Sequence, residues 1–338
     1  MNASNRPSRQ DATRSSWGKT SCRSCRHTVF AIEKPNPQHR EDASMSNSKR
    51  LKQLDFSVPG IKPVGMKLIK LVNAPEPNLI EIAQTAELDP AVFGTISACA
   101  NSAMYGGIQE IRDLRMAVTR LGLREVRRIV FHVVLESAFR ADCAEINHLL
   151  RHLWTQSLCT ALTMQRLIPD CPQLKELSVD LIASIYPLGL LHLIGVPVLV
   201  ANYLPAFPSF ARDSLKLTQQ ETLAREQALF DGFDHLQLGA ELVRRWGFSD
   251  LFADILASHD SPTPPLPSGG RLLHSLLRQA RYVGEAMGYA AMPSTPEDYW
   301  LQGSILDTSQ VDMAAVERDV LDQMEQALDF DRENASRR

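Results

Sequence analysis

No stretch of this chain alternates apolar and polar residues with period two over a strand's length. That excludes a sheet and makes the expected fold class all-α. Net charge is nearly absent, −3 over 338 residues, so the chain as a whole gives no reason to expect nucleic acid or an anionic membrane as partner. Cysteine is sparse and scattered: Cys22, Cys25, Cys99, Cys143, Cys159 and Cys171 form no disulfide framework. The last four fall in apolar helical patterns, where a free thiol behaves as a small hydrophobe. A reducing, cytoplasmic compartment is therefore expected. The N-terminus also lacks the apolar core of a secretory signal. What remains has the apolar content of a globular protein and length for two units.

Residues 1–50 are rich in Ser, Asn, Arg and Pro, the composition of a disordered tail. Within them Cys22 and Cys25 supply two zinc ligands where a structural site needs four, and His27 and His39 are not spaced to complete the set. Met45 opens the segment where ordinary sequence begins, which makes it an alternative start.

From 51 onward the pattern is helical. Val64, Leu68 and Leu71 share a face in 62–72, and Asn78 and Asp89-Pro90 are start signals for the next two helices. Asp113 caps a short helix ending at Leu121-Gly122, before a long amphipathic one on which Arg120, Arg124, Arg127 and Arg128 read as a solvated face. A helical period returns from Ile146 to about 168, then at about 218–230, 235–246, 249–259, 271–288 and 311–329. Pro205 and Pro208 mark a loop, as does the Pro/Gly stretch 262–270. The expected organisation is a disordered tail (1–50), an N-terminal helical bundle (51–140), a second helical bundle (141–330) and a polar tail (331–338).

The longest uncharged apolar run is Leu181–Leu204, with His192 at its centre. A run of about 20 apolar residues fits a membrane span or a buried central helix. Pro187, Gly189, Gly195 and Pro197 break it, and a lone imidazole is costly at a bilayer's centre. No membrane insertion is expected.

Few polar residues sit in apolar surroundings once helices are placed: Gln156, His192 and the pair His259-Asp260. Histidines and aspartates converging from several helices can hold a metal and acidify its bound water. A buried histidine bonded to Gln156 or to a backbone carbonyl is the plainer reading of His192. Asn101-Ser102 reads as a pair that satisfies backbone at a helix end.

The segment DPAVFGTISACANSAMYGGIQEIRDLRMAVTRLGLREVRRIVF (89–131) resembles the HDOD domain, with Asp89, Pro90, Asn101, Ser102, Ala103, Ile111, Ala117, Val118, Leu121 and Gly122 at matching positions. LWTQS (153–157), LGLLHLIG (188–195), LGAELVRRWGF (238–248) and ILASHD (255–260) continue the match in order, so it spans about 52–290. The resemblance implies a bundle related to the HD phosphohydrolase superfamily, in a family that acts mostly as bacterial signalling modules without the catalytic metal set. Where HD enzymes carry His-Asp this chain has His192-Leu193, and where they carry a histidine on the preceding helix it has Gln156. Leu193 cannot bridge two cations, and a neutral amide is a poor substitute for imidazole.

It follows from the resemblance that the chain is not an enzyme, with no catalytic residue, cofactor or metal, and with a relic pocket at Gln156, His192, Leu193, His259 and Asp260. The expected function is a signalling module that binds a protein partner or a small effector. A nucleotide or cyclic-dinucleotide sensor using that pocket, or a weak metal-dependent phosphohydrolase using His192, His259 and Asp260, is the alternative.

Overall fold

The computed structural model describes residues 51, 61–74, 76–102, 105, 111–141, 143–203, 206–214, 217–289 and 299–336, the side chains of 212 and 329–336 apart. The tail 1–50 with its cysteines, histidines and Met45, and also Ala103, Gly106, Gly107 and Pro205, lie outside them. The described residues form helices and no strand. The all-α expectation holds.

The first four helices are α1 (Pro63–Asn73), α2 (Leu79–Ala86), α3 (Pro90–Ala100) and α4 (Leu114–Ala138). Their starts are set by side chains: Asn78 accepts from the amides of Ile80 and Glu81, and Asp89 from those of Ala91 and Val92. Such caps satisfy amides that lack a partner within the helix. Leu68, Ile69, Ile82, Val92, Ile96, Val118 and Val130 fill the core between these helices. Each is worth about 1.5–3 kcal/mol on full burial. Gly122, at φ 75°, breaks α4 into two pieces that meet at a kink, the boundary expected after Leu121.

Three of the four α4 arginines are not merely solvated. Arg127 donates to the Val72 carbonyl at 2.9 Å, Arg120 to that of Ala100 at 3.3 Å, and Arg128 pairs with Glu125. The first two tie α4 to the ends of α1 and α3, pairing through space that charge patterning alone does not reveal, while the Arg128–Glu125 pair lies within α4. α4 and its C-cap also meet the second half of the chain through aromatic contacts, Phe131 to Phe248 at 5.8 Å and Phe139 to Trp154 at 5.6 Å.

The second half holds α5 (Ala144–Leu167), α6 (Val179–Leu191), α7 (Gly195–Tyr203), α8 (Phe207–Ser214), α9 (Gln219–Leu229), α10 (His235–Arg245), α11 (Asp250–Ser258), α12 (Ser268–Ala286) and α13 (Met313–Ser336). A loop expected at Pro205 and Pro208 is instead partly helix: Pro208 is the second residue of α8, where a missing N–H costs nothing. The central run folds as α6 and α7, separated by a turn at 192–194. Val179–Tyr203 is the one stretch, among the described residues, long and apolar enough to cross a membrane, and most of it is buried within the fold.

Two glycines let that run pack closely. A Cβ on Gly189 would lie 2.4 Å from the Ala161 Cα of α5, and one on Gly195 would lie 1.8 Å from the His235 carbonyl oxygen at the start of α10. No larger residue fits either crossing without moving backbone. The second contact positions the site, because it brings α10 against the turn that carries His192.

Candidate functional site

Four polar side chains meet beneath the α6–α7 turn, each placed by a helix end. His192 caps the C-terminus of α6, His259 caps that of α11 with Asp260 next to it, and His235 opens α10 after its capping residue Asp234. All are buried, His259 completely. The His192 and His259 rings lie 5.6 Å apart between centroids, and those of His235 and His259 6.4 Å apart. Ligand atoms of His235, His259 and Asp260 all fall within 4.8 Å of one another.

The hydrogen bonds fix which nitrogen each ring offers. Nδ1–H of His192 donates to the Gly189 carbonyl at 2.7 Å, and that of His259 to the Leu256 carbonyl at 2.8 Å. His235 Nδ1 is held by the Glu226 carboxylate at 2.8 Å, which also accepts from the His235 amide. In all three rings Nε2 is buried without a partner. His192 thus takes the backbone-carbonyl arrangement rather than bonding Gln156.

Burial disfavours charge on His192, and the Arg281 guanidinium reinforces this, so its pKa falls well below the ordinary value. His259 is pushed down to about 3, chiefly by burial, with Arg281 adding to the effect. For His235 burial is outweighed by the carboxylates of Glu226, Asp260 and Asp234, which lift it to about 9. Burial also opposes ionisation of Asp260, but the neighbouring cationic groups and the bond from Gln219 hold it down at about 2. Its hydrogen-bonded counter-charge at neutral pH is Arg281, 3.1 Å away, with the protonated His235 as a second cation nearby, since His259 is then neutral.

One contact in the cluster is left unsatisfied. His259 Nε2 lies 3.6 Å from Asp260 Oδ1, too far for a hydrogen bond. With Nδ1 carrying the ring proton, Nε2 presents a lone pair toward a carboxylate oxygen. Two electron-pair donors at that spacing are stabilised by something electropositive between them. The donor set, imidazole and carboxylate, is the one that divalent zinc, manganese and iron accept. Metal–ligand bonds of about 2.0–2.2 Å put donors on one ion about 3.3–4.2 Å apart, so these residues could hold one ion after a small contraction. Tying the far ring nitrogen to a carbonyl or carboxylate is how ligating histidines are oriented.

A surrounding layer holds the His259–Asp260 backbone. Arg278 donates to the carbonyls of His259, Tyr299 and Trp300, and the Tyr299 hydroxyl donates to the Asp260 carbonyl at 2.6 Å. Arg281 stacks on Trp300, 3.7 Å from the ring centroid. Gln219 donates to Asp260 Oδ2 at 2.7 Å. Of the residues singled out in the sequence, His192, His259 and Asp260 come together. Gln156 is buried on α5, and Leu193 is fully buried in the turn after His192. His235, Glu226, Gln219 and Arg281 went unrecognised. Far from this cluster, Asn101 pairs with both backbone groups of Ile111, each at 2.8 Å, which is the structural role expected of it.

A family model for the HDOD domain matches residues 58–262. The chain is 17% identical to a crystal structure from Marinobacter aquaeolei VT8 described as "Putative signal transduction protein", with TM-score 0.58 over 91% of this chain and 63% of that one. It is 20% identical to a "Putative phosphohydrolase" from Shewanella amazonensis SB2B, with TM-score 0.56 over 83% of this chain and 94% of the other. An uncharacterized protein of Treponema pallidum (strain Nichols) is 22% identical over 214 residues, 62% of this chain. The chain spans 39% of the length of that curated relative.

These findings correct one expectation. The reading that the chain is not an enzyme meets a protein of the same fold described as a phosphohydrolase. The donors also extend beyond the positions of Gln156 and Leu193, since His235 stands as a third donor beside His259 and Asp260.

Proposed function

This chain belongs to the HDOD domain family, and on that premise we propose that it is a signal-transduction module whose ligand site is the buried imidazole–carboxylate cluster, the ligand being one divalent transition-metal ion. His235, His259 and Asp260 hold the ion, which displaces the Nε2 proton that His235 carries in the metal-free protein, and His192 stands beside it with its own free Nε2. Residues 51–140 and 141–330 form the two bundles of the module, and the surface they present is where a protein partner docks. The signalling role is supported by the description of the Marinobacter protein of the same fold.

The observation that carries the metal reading is the buried, unpartnered Nε2 atoms of His235 and His259 beside the buried Asp260 carboxylate, with that of His192 on a ring next to His259. An unmet polar group costs about 1–3 kcal/mol, so three in one place mark a site built for a ligand. A bound ion would supply a Lewis acid and an acidified water. The protein's own groups do the rest: Gly189, Leu256 and Glu226 fix the tautomers, while Gln219 and Arg281 orient the carboxylate.

Calorimetric titration of chelator-stripped protein with Mn2+, Fe2+ and Zn2+ tests this. His148 and His152 on α5 place their Nε2 atoms 3.4 Å apart and form a second, surface chelate of their own, so the titration is done in a His148→Ala, His152→Ala background. One ion per chain is expected, lost on His235→Ala and on His259→Ala. Absence of binding for all three metals refutes the assignment.

A further inference from the structure

Arg281 is the least satisfied charged group in the site. It is 1% exposed, yet only Nη1 has a hydrogen-bond partner, and Nε and Nη2 are buried with none. Arg278, one helical turn earlier on α12, makes the contrast: its three nitrogens each donate to a backbone carbonyl. Arg278 is fixed as part of the frame. Arg281 is held only by the Asp260 carboxylate and the face of Trp300, at 3.1 Å and 3.7 Å.

The oxygen it occupies is decisive. Asp260 Oδ2 is taken by Gln219, and the Arg281 bond falls on Oδ1, the same oxygen that lies 3.6 Å from His259 Nε2. An ion bridging His259 and Asp260 therefore needs the oxygen that the guanidinium now holds. Two cations on one carboxylate oxygen in a water-excluded site repel strongly.

We propose that Arg281 is a built-in cation that neutralises Asp260 in the metal-free state and is displaced from Oδ1 when the ion enters, so that ligand binding is passed to Trp300 and the Tyr299–Leu301 turn. This rests on the metal reading above. Its consequence is a two-state element. With the ion absent, the guanidinium is clamped between carboxylate and indole. With the ion present, Arg281 loses its anchor and Trp300 its stacked cation.

The test uses the full-length chain with the surface histidines removed, comparing wild type, Arg281→Gln, Arg281→Met (which keeps an apolar stem over Trp300) and Arg281→Lys. Zn2+ and Mn2+ affinities are measured by chelator competition, and Trp300 emission is followed against a Trp300→Phe control. The neutral variants are expected to bind at least tenfold tighter than wild type while Arg281→Lys stays near it. In wild type, metal should change the emission that Trp300→Phe removes. Neutral variants that bind no tighter than a metal-binding wild type, or a Trp300 signal that metal leaves unchanged, overturn the displacement alone. If no form binds metal, the metal reading falls and the displacement with it. Tight binding seen only in the neutral variants overturns both, because the guanidinium then excludes the ion from the native site instead of yielding to it.

Discussion

Stability of the metal-free protein should peak near pH 6.5–7 and fall on both sides, for reasons that lie in the histidine cluster. His192 and His259 are buried and held neutral, as is His274, which is pushed down to about 4 mainly by burial and the neighbouring Arg278. An unfolded histidine titrates near 6.5. Below that value the unfolded chain binds three protons that the folded protein refuses, so each pH unit shifts the folding equilibrium about tenfold per proton. By pH 5 the loss sums to roughly 6 kcal/mol, comparable to the whole stability of many domains. His235 works in the opposite sense. Its folded pKa, about 9, lies above the unfolded one, so its contribution is complete below 6.5 and is lost as pH rises through 9. That amounts to roughly 3 kcal/mol across the alkaline side. Urea midpoints by circular dichroism at fixed ionic strength, in EDTA, from pH 5 to 9, measure the curve. A flat profile between pH 7 and 5 would show that the three imidazoles are not buried neutral, and the account of the site would fail.

Other perturbations probe single contacts. Gly195→Ala forces a methyl to 1.8 Å from the His235 carbonyl, so a loss of about 3 kcal/mol or more in thermal unfolding is expected, whereas Gly94→Ala, with open space around its Cβ, should be neutral or stabilising. Asn101→Ala strips the Ile111 N–H and C=O of their partner and should cost about 2 kcal/mol by urea denaturation; a change within measurement error would remove the structural reading of that asparagine. Glu226→Gln removes the charge that opposes burial at His235, so its imidazole pKa, followed by NMR, should drop from about 9 to below the ordinary histidine value.

Helix starts were legible because capping is local: Asn78, Asp89 and Asp113 each accept from the amides just after them, as the sequence spacing anticipates. His259 and Asp260 were legible because a charged pair ending an apolar helix is conspicuous. His235 was not, since it sits beside Asp234 in a capping box with Gln237 and looks like an ordinary helix start. The feature that sets it apart is Glu226, nine residues upstream on another helix and 1% exposed, a pairing that exists only in space. Arg278 and Arg281 were hidden for a related reason. Their helix is amphipathic, and arginine on such a helix reads as solvated until Tyr299 and Trp300 fold over it.

The distribution of polar groups around the α6–α7 turn is itself an argument about function. On the α5–α6 side, at Gln156 and Leu193, the groups best suited to bind a cation are absent, and Leu193 is fully buried. On the α10–α12 side, histidine, aspartate and arginine remain at 0–5% exposure with several unmet hydrogen bonds. Replacing buried ionic groups by apolar ones of similar volume is often neutral or stabilising, so packing alone does not account for keeping them. His192 apart, the costly groups lie on one side and apolar ones on the other, so the proposed ion is expected against α10, α11 and α12, and as a single ion, since Leu193 offers no carboxylate to bridge a second.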